Sequence, residues 1–272
     1  MPELPEVETV KRVIEPQLNG RTVTHVKLNR PDIIAYPAAE DFLVVGKTIS
    51  HMGRRGKFLS IHLTDGSVLK LHLRMTGSLL VTPPDYPEIK HTHIIFSLDN
   101  GTELRFIDQR RFGRFWLFSK DEEDTVSGVS RLGLEPFDDG FCCEYLRSKL
   151  SKRKKPIKEC LLEQNVVCGI GNIYGDEILF ASSILPDRPA LSLSDTEWET
   201  LTENIPKILK KAIDDNTITP EEYLLTRGEE YKNTPFLTVY DRGGLPCLKC
   251  GEPLKKITLS GRSSVFCPKC QK

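Results

Sequence analysis

The chain has 272 residues, which suits one large domain or two smaller ones, and 39% of them are hydrophobic, enough for a core of ordinary size. Its 38 basic and 38 acidic residues cancel, so a surface for a polyanion would have to be concentrated in patches. No apolar run approaches the roughly 20 residues of a membrane span, and the acidic N-terminus does not fit a secretory signal. We therefore expect a cytoplasmic protein.

The first half of the chain changes from a helical to an extended pattern. Over residues 3–18, apolar residues recur at helical spacing and end at Asn19-Gly20, which predicts a helix. From about residue 60 the apolar period becomes two, with hairpin turns at 64–67 and 99–101. Strand pairs with one polar face indicate two packed antiparallel sheets. We predict a β-sandwich with a leading helix over residues 1–130.

The second half is mainly helical up to its cysteine-rich end. We place a linker or hinge at 131–150 and a helical domain at 151–235. Within them, helices are predicted over 146–162 and 173–183, and a capping box at Ser194 opens a third. The charged segment 217–235 has weak periodicity and is predicted to be a loop. The fold class is therefore α+β with several domains.

The last 37 residues, 236–272, contain two Cys-x-x-Cys pairs separated by 16 residues. Four thiolates in this spacing are the ligands of a structural tetrahedral Zn²⁺. The turn at 259–262 lies between two short extended runs, which predicts a β-hairpin with zinc at its base and Arg262 near its tip. We expect one structural zinc ion and no organic cofactor. The four ligands are Cys247, Cys250, Cys267 and Cys270.

The N-terminal residues combine a proline with a carboxylate. Removal of Met1 would leave a free secondary amine on Pro2, one residue from Glu3. An unprotonated amine is a nucleophile, and a neighbouring acid can transfer a proton. The alternative is structural, because proline and glutamate both suit a first helical turn.

Positive charge is concentrated in four segments, at 54–57, 108–114, 152–158 and 241–272, and the last has seven basic residues against two acids. Near them, the tight turn at 169–172 precedes a predicted helix. Free N–H groups at such a start bind anions, although a plain interhelical turn is the alternative.

Met75, Arg110 and Phe112 lie at or just past predicted strand ends in these basic surroundings. An apolar wedge next to an arginine is what an enzyme needs to extrude a base from a duplex and fill the gap. The alternative is that Met75 and Phe112 are core residues.

Six ordered motifs resemble the formamidopyrimidine-DNA glycosylase family, the bacterial bifunctional 8-oxoguanine glycosylases and AP lyases. The resemblance covers nearly the whole chain. It implies an N-terminal β-sandwich, a helix–two-turn–helix domain and a zinc finger. It also implies a protein that acts on double-stranded DNA containing oxidised bases or abasic sites and that is associated with the nucleoid when on DNA. Separately, the sequence has no seam or large apolar pattern that suggests a partner and no apolar run that suggests a membrane, so we expect a monomer without a membrane. The motifs are PELPEVET at 2–9, GRRGKF at 53–58, HLRMTG at 72–77, DQRRFG at 108–113, GIGNIYGDE at 169–177 and the cysteine module.

The same resemblance implies catalytic roles for four residues. Pro2 would attack the anomeric carbon of the damaged nucleotide and form a Schiff base. Glu3 would protonate the ribose ring oxygen. Lys57 matches the lysine assigned to β-elimination, and Arg262 matches the finger arginine assigned to δ-elimination and phosphate binding.

Further residues match DNA-contacting positions of the family. His91, Arg153 and Asn172 would contact the duplex. Met75, Arg110 and Phe112 match the void-filling trio, in which Arg110 reads the orphaned cytosine. Glu6 matches a second acid near the lesion pocket.

The segment at 226–236 departs from the family pattern, in which a glycine-rich loop closes over 8-oxoguanine. Here it contains two acids and Pro235, which leaves the lesion preference open. A sister enzyme, an endonuclease VIII-like glycosylase for oxidised pyrimidines, is the first alternative, and Leu4 argues against it because that family usually has glycine there. The second alternative is a zinc-finger protein that binds damaged DNA without cutting, but Glu3 and Lys57 are both present.

Overall fold

The computed structural model describes residues 1–228 and 236–272, and these form two compact units. The first unit contains Met1–Ser130 and residues 216–228, and the second contains Arg131–Asp215 and residues 236–272. Of the predicted loop at 217–235, the structure therefore describes residues 217–228, whereas residues 229–235 lie outside the described residues.

The first unit opens with helix α1, Leu4–Leu18, as the apolar spacing predicted. Its inner face is buried, with Leu4, Val10 and Ile14 at 0% exposure, and it packs against β3 and β4. Burying each such side chain stabilises the fold by about 1.5–3 kcal/mol. The strands are β1 Val23–Leu28, β2 Ile34–Tyr36, β3 Ile49–Arg55, β4 Phe58–Leu63, β5 Val68–His72, β6 Gly77–Thr82, β7 Thr92–Leu98, β8 Glu103–Asp108 and β9 Arg114–Phe118.

These strands form a four-stranded sheet in the order β1-β7-β8-β6 and a five-stranded sheet in the order β2-β9-β5-β4-β3. Both predicted hairpins, β4–β5 and β7–β8, are confirmed. The expectation of purely antiparallel sheets is wrong at one edge, where β2 pairs with β9 in parallel. One hydrophobic cluster unites α1 with the inward-facing residues of the two sheets.

The second unit contains four α-helices: α2 Cys143–Leu150, α3 Ile157–Leu161, α4 Asn172–Ala181 and α5 Asp195–Asp215. The single helix predicted over 146–162 is in fact two, because Pro156 interrupts it. Helix α2 lies within the predicted linker, yet Leu146 and Leu150 are fully buried in a second hydrophobic cluster. Leu146 and Leu150 therefore contribute to the core of this unit.

Helix α6, Pro220–Leu225, corrects the prediction of a loop at this position. A capping box begins it, in which Glu222 N donates to Thr219 Oγ1 at 3.2 Å and Thr219 N donates to Glu222 Oε2 at 3.0 Å. Tyr223 is 1% exposed and belongs to the core of the first unit. Six residues are too few to show a helical period, so only the cap was visible in the sequence.

The chain ends in a hairpin of β10, Lys255–Leu259, and β11, Arg262–Phe266, as predicted. No helix formed by residues 1–228 and 236–272 has the length and apolar character needed to cross a membrane.

Candidate functional site

The N-terminal residues are buried at the start of α1. Glu3 is the N-cap of the helix and is 2% exposed, and Pro2 before it is also buried. Glu6 is 3% exposed, and its carboxylate accepts a hydrogen bond from Glu3 N at 2.8 Å. Glu6 therefore fixes the backbone of Glu3, a contact that the sequence did not reveal.

Lys57 lies in the tight turn between β3 and β4 and is 6% exposed. Gly56 precedes it with a φ of 57°, a conformation that glycine adopts without strain. Arg54 links this turn to α1: its Nε donates to Glu8 Oε2 at 2.9 Å and its Nη1 donates to Gly56 O at 3.2 Å. The turn that carries Lys57 is thus tied to the helix that carries Glu3, and Arg54 is not a free surface charge.

His72 is a buried histidine whose imidazole contacts Phe58 edge-on, with ring centroids 4.6 Å apart. Arg74 N donates to its Nδ1 at 2.9 Å, so the neutral ring holds its proton on Nε2. Burial, with smaller contributions from the charges of Arg74 and Lys57, lowers the pKa of His72 to about 3. The imidazole therefore stays neutral near Lys57 at physiological pH.

Arg110 contacts both Met75 and Phe112 on the surface of the first unit, and these three residues are called the wedge from here on. Met75 and Phe112 are 45% and 44% exposed, so the core alternative is wrong for both. Arg110 Nη1 lies 3.1 Å from Met75 Sδ, and its guanidinium carbon lies 4.6 Å from the centre of the Phe112 ring. Large apolar side chains clustered on a surface are characteristic of a binding site.

The backbone around the wedge is strained at three positions. Arg74 and Arg111, which flank Met75 and Arg110, have φ values of 58° and 56°, and His91 has 71°. A non-glycine residue in the left-handed region costs about 1–2 kcal/mol, and such residues concentrate at functional sites. The rest of the fold must therefore compensate for the backbone strain in the loops that carry Arg74, His91 and Arg111.

In the second unit, the predicted turn at 169–172 leads directly into α4. Gly169 has a φ of 96°, Gly171 is the N-cap, and Asn172 is the first helical residue. Asn172 Oδ1 is buried and has no hydrogen-bond partner within the part of the chain that the structure describes. An acceptor oxygen left without a partner at a helix N-terminus is suited to an incoming polar ligand.

The basic patch at 152–158 separates into exposed and buried residues. Arg153 Nη1 and Lys155 Nζ both lie near the Glu163 carboxylate, at 3.2 and 3.1 Å, and remain at the surface. Lys158 is 1% exposed and forms an ion pair with Asp176 at 2.7 Å. It is therefore an internal residue and not a surface charge.

The Lys158–Asp176 pair attaches the terminal hairpin to the helices of the second unit. Lys158 Nζ donates to Ser263 O at 3.0 Å and to Ser264 Oγ at 2.8 Å, and Val265 N donates to Asp176 Oδ2 at 3.0 Å. Burial raises the pKa of Asp176 to about 6, against the opposing effect of Lys158. These contacts fix strand β11, whose first residue is Arg262.

Glu177 anchors the segment after residue 235 in a similar way. Its carboxylate accepts hydrogen bonds from three consecutive backbone N–H groups, including Val239 at 2.9 Å and Tyr240 at 2.8 Å. A buried carboxylate with this many donors holds a backbone segment firmly.

The four predicted ligand cysteines come together at the base of the hairpin, with their sulfur atoms all within 4.8 Å of one another. Cys247 Sγ and Cys270 Sγ are 4.0 Å apart, and Cys250 Sγ and Cys267 Sγ are 3.5 Å apart. A tetrahedral zinc site with 2.3 Å bonds requires sulfur separations of about 3.8 Å. The cluster is thus a structural metal site, and Arg262 is exposed at the opposite end of the hairpin.

The candidate residues are distributed over both units. The first unit holds Pro2, Glu3, Glu6, Lys57, Met75, His91, Arg110 and Phe112, and the second holds Arg153, Asn172, Arg262 and the four cysteines.

Comparison with known proteins identifies three family domains in this order. The N-terminal domain of formamidopyrimidine-DNA glycosylase matches residues 1–115, its H2TH domain matches 132–222, and the zinc finger found in FPG and IleRS matches 244–272. The formamidopyrimidine-DNA glycosylase of Desulforamulus reducens is 43% identical over 100% of this chain and 99% of its own length. The chain belongs to the formamidopyrimidine-DNA glycosylase family.

Other family members show similarity of the same extent. The Moorella thermoacetica formamidopyrimidine-DNA glycosylase is 45% identical over 94% of both chains. Among solved structures, the Lactococcus lactis FPG (MutM) bound to FAPY-dG DNA is 35% identical and covers 99% of this chain and 100% of its own, with a TM-score of 0.90. A complex of the same Lactococcus lactis protein with DNA containing an oxidised pyrimidine gives a TM-score of 0.91 at 34% identity.

As a family member, the chain is a base-excision DNA glycosylase, an enzyme that acts on N-glycosyl bonds, and AP lyase activity is part of the family's chemistry. The predicted fold class, a sheet domain followed by an H2TH domain and a four-cysteine hairpin, is confirmed.

Several residues that hold candidate site residues or loops in place escaped the sequence analysis. Thr76, Asp108, Asp176 and Glu177 each make buried or partly buried polar contacts that hold a candidate site residue or loop. All four lie inside the family motifs. Each of them is a polar residue within a family motif, and no proposed chemical step requires it. That combination is the sequence signal by which their structural roles could have been predicted.

Proposed function

We propose that this enzyme excises oxidised purines, 8-oxoguanine and formamidopyrimidines, from duplex DNA and cleaves the strand by β,δ-elimination through a Schiff base at Pro2. The observation that carries the proposal is the burial of Pro2 and Glu3 at the start of α1, with the Lys57 turn tied to that helix through Arg54. Relatives with DNA containing FAPY-dG, an abasic site or 8-oxoguanine support the substrate class.

The α-amine of Pro2 is a better nucleophile at neutral pH than Lys57. An ordinary α-amine has a pKa near 7.7–8.0, so roughly a tenth of it is unprotonated at pH 7, against well under a thousandth of a lysine with a pKa near 10.4. The proline nitrogen becomes an amine only when Met1 is removed, and Met1 is 51% exposed. A secondary amine also yields a permanently cationic iminium, which withdraws electrons and favours elimination.

We assign one residue to each step of the reaction. The nitrogen of Pro2 bonds to C1′ as the C1′–base bond breaks, and Glu3 donates a proton to the ribose ring oxygen as the ring opens to the iminium. Lys57 takes a proton from C2′, and the electron pair expels the 3′ phosphate in β-elimination. Arg262 binds phosphate and assists δ-elimination of the 5′ phosphate.

We assign the DNA contacts to three partly exposed polar side chains. Asn172, at the N-terminus of α4, and Arg153 contact phosphates, and His91 contacts the strand beside the wedge. The wedge fills the space left by the extruded nucleotide, and Arg110 pairs with the orphaned cytosine. Glu6 supports the lesion pocket indirectly, because its carboxylate already binds Glu3 N.

We propose that the metal is zinc, because four thiolates with this spacing favour Zn²⁺. The expected content is one zinc ion per chain by elemental analysis of purified protein. Cys250→Ser should lower the zinc content and weaken DNA binding, whereas Cys142→Ser, which changes an exposed cysteine outside the cluster, should alter neither. A full zinc content in the Cys250→Ser variant would contradict this ligand set.

The experiment that tests the function is sodium borohydride trapping on a duplex with 8-oxoguanine opposite cytosine, together with the intact mass. We expect a covalent adduct and a mass that lacks Met1. The Pro2→Gly variant should retain duplex binding and lose most strand cleavage, and cleavage at the wild-type rate would contradict the assignment of Pro2.

The lesion range is tested on the same assay. If Met1 is removed but an adduct forms only on formamidopyrimidine or oxidised-pyrimidine duplexes, the substrate class would change accordingly. This outcome needs testing because residues 226–236 depart from the family pattern. Failure on all duplexes would overturn the proposal in favour of a protein that binds damage without cutting.

A further inference from the structure

The two loops that carry the wedge are joined by one buried carboxylate. Strands β6 and β8 pair with Gly77 opposite Asp108, which places the loop at 73–76 next to the loop at 109–113. Asp108 is the last residue of β8 and is 0% exposed. Its position at the junction of the loops is independent of the catalytic residues at the start of α1.

The Asp108 carboxylate accepts hydrogen bonds from both loops. Its Oδ1 accepts from Thr76 Oγ1 and from Arg110 N, the latter at 3.2 Å, and its Oδ2 accepts from Gly113 N at 2.7 Å. Thr76 Oγ1 in turn accepts from Arg110 N at 3.2 Å. Charge-assisted hydrogen bonds of this kind are stronger than neutral ones.

The backbone of Asp108 extends the same network. Its N–H donates to His91 O at 3.1 Å, its carbonyl accepts from Arg111 N at 3.2 Å, and its carbonyl oxygen lies 2.6 Å from His93 Nε2. Arg111 and His91 are two of the strained residues near the wedge. The contacts of Asp108 therefore offset the strain at both positions.

We propose that Thr76 and Asp108 are positioning residues that lock the two loops together, so that the wedge inserts as one body and Arg110 meets the orphaned base in a single orientation. This inference rests on the proposed function and deepens it, because it assigns selectivity for the opposite base to a buried carboxylate and to the hydroxyl group bonded to it. Thr76 is adjacent to Met75, and its hydroxyl bridges Asp108 to the backbone of Arg110.

The expected selectivity follows from the chemistry of the guanidinium. Arginine offers only donors, so it complements the O2 and N3 acceptors of cytosine but meets a donor, the N6 amino group, on adenine. This discrimination requires a fixed guanidinium, because a mobile one could avoid the unfavourable contact with adenine. Loss of the Thr76 hydroxyl should therefore reduce selectivity.

The test compares single-turnover excision of 8-oxoguanine opposite cytosine and opposite adenine. Thr76→Val removes the hydroxyl with little change of shape at an exposed residue, and we expect it to lower the cytosine-to-adenine rate ratio by about tenfold. Thr76→Ser keeps the hydroxyl and should keep the wild-type ratio. Asp108→Asn, with its fold checked by thermal unfolding, should lower the ratio at least as much.

The ratio separates positioning from general destabilisation, because a variant that is only less folded loses both rates in proportion. A wild-type ratio in folded Thr76→Val would overturn the proposal while leaving the glycosylase function intact. A wild-type enzyme that excises neither substrate would instead overturn the proposed function, and the role of the wedge with it.

Discussion

At the scale of single residues, burial decides which charges are available for chemistry. Lys57 and Lys158 are both buried lysines, at 6% and 1% exposure, yet they have different surroundings. Lys158 is neutralised by Asp176 and donates to two serines of β11. Lys57 lies in a glycine turn near an imidazole that stays neutral. The first lysine is structural, and we propose that the second takes part in proton transfer.

The buried imidazole of His72 leads to a prediction about how stability depends on pH. Its folded-state pKa is about 3, below the unfolded value near 6.5, so the unfolded chain takes up a proton that the folded chain does not. The associated stability is fully present above pH 6.5 and is lost as the pH falls toward 3. Between pH 7.5 and pH 5, the wild type should lose about 2 kcal/mol relative to His72→Asn, which keeps an acceptor for Arg74 N.

Urea unfolding of the two proteins at both pH values measures this difference. Comparing the proteins with each other cancels the titration of other groups, including Asp176. A difference between the two proteins that does not change with pH would show that the pKa of His72 is the same in the folded and the unfolded chain.

At the scale of elements, the terminal hairpin depends on helices α3 and α4 for its position. Lys158→Met would leave the Asp176 carboxylate buried without its ion pair, which costs about 3–5 kcal/mol. We expect faster release of the metal to a chelator and a lower melting temperature. Adding Asp176→Asn should restore part of the loss, because the unpaired charge is then removed.

Lys155→Met is the matched control for this prediction. Lys155 belongs to the same basic segment, but its side chain is 58% exposed and its pairing with Glu163 is a surface ion pair. Such pairs contribute at most about 1 kcal/mol, so this variant should release its metal at the wild-type rate. Equal release rates for Lys158→Met and the wild type would show that the ion pair does not hold the hairpin.

At the scale of the whole molecule, zero net charge is compatible with DNA binding because the charge is unevenly distributed. The basic residues Lys152, Arg153 and Lys154 lie at the surface of the second unit, whereas acidic residues elsewhere balance the total. Affinity for DNA should therefore fall with salt as counterions are released, although the net charge alone would predict little dependence.

Arg153→Gln should reduce the slope of log K against log salt by about 0.9, the value for one phosphate contact, and weaken binding to all sequences alike. Lys210→Gln removes the same charge from α5, where Lys210 pairs with Asp214 outside the basic segments, and should leave the slope unchanged. Fluorescence anisotropy over a range of salt concentrations measures both. An unchanged slope for Arg153→Gln would remove it from the DNA interface.

Much of the fold could be predicted because its signals are local. The helical spacing of α1, the hairpin turns and the Cys-x-x-Cys pairs each lie within a few residues, and the structure confirms all three. The short helix α6 could not be predicted in this way, because Tyr223 is stabilised by the core of the first unit rather than by a local repeat. The parallel pairing of β2 with β9 joins strands far apart in the chain and leaves no local pattern.

For the candidate site, too, local features could be predicted from the sequence and long-range contacts could not. The sequence by itself determined the chemical groups: an N-terminal proline with a neighbouring acid, a four-thiolate metal site, and the motifs that specify the glycosylase family. The tertiary structure alone decided that Lys158 is internal, that Met75 and Phe112 are exposed, and that Asp108 joins the two loops of the wedge. The physical reason is that burial and hydrogen bonding depend on partners far along the chain, 32 residues away for Thr76 and Asp108 and 105 for Lys158 and Ser263, which only the folded chain brings into contact.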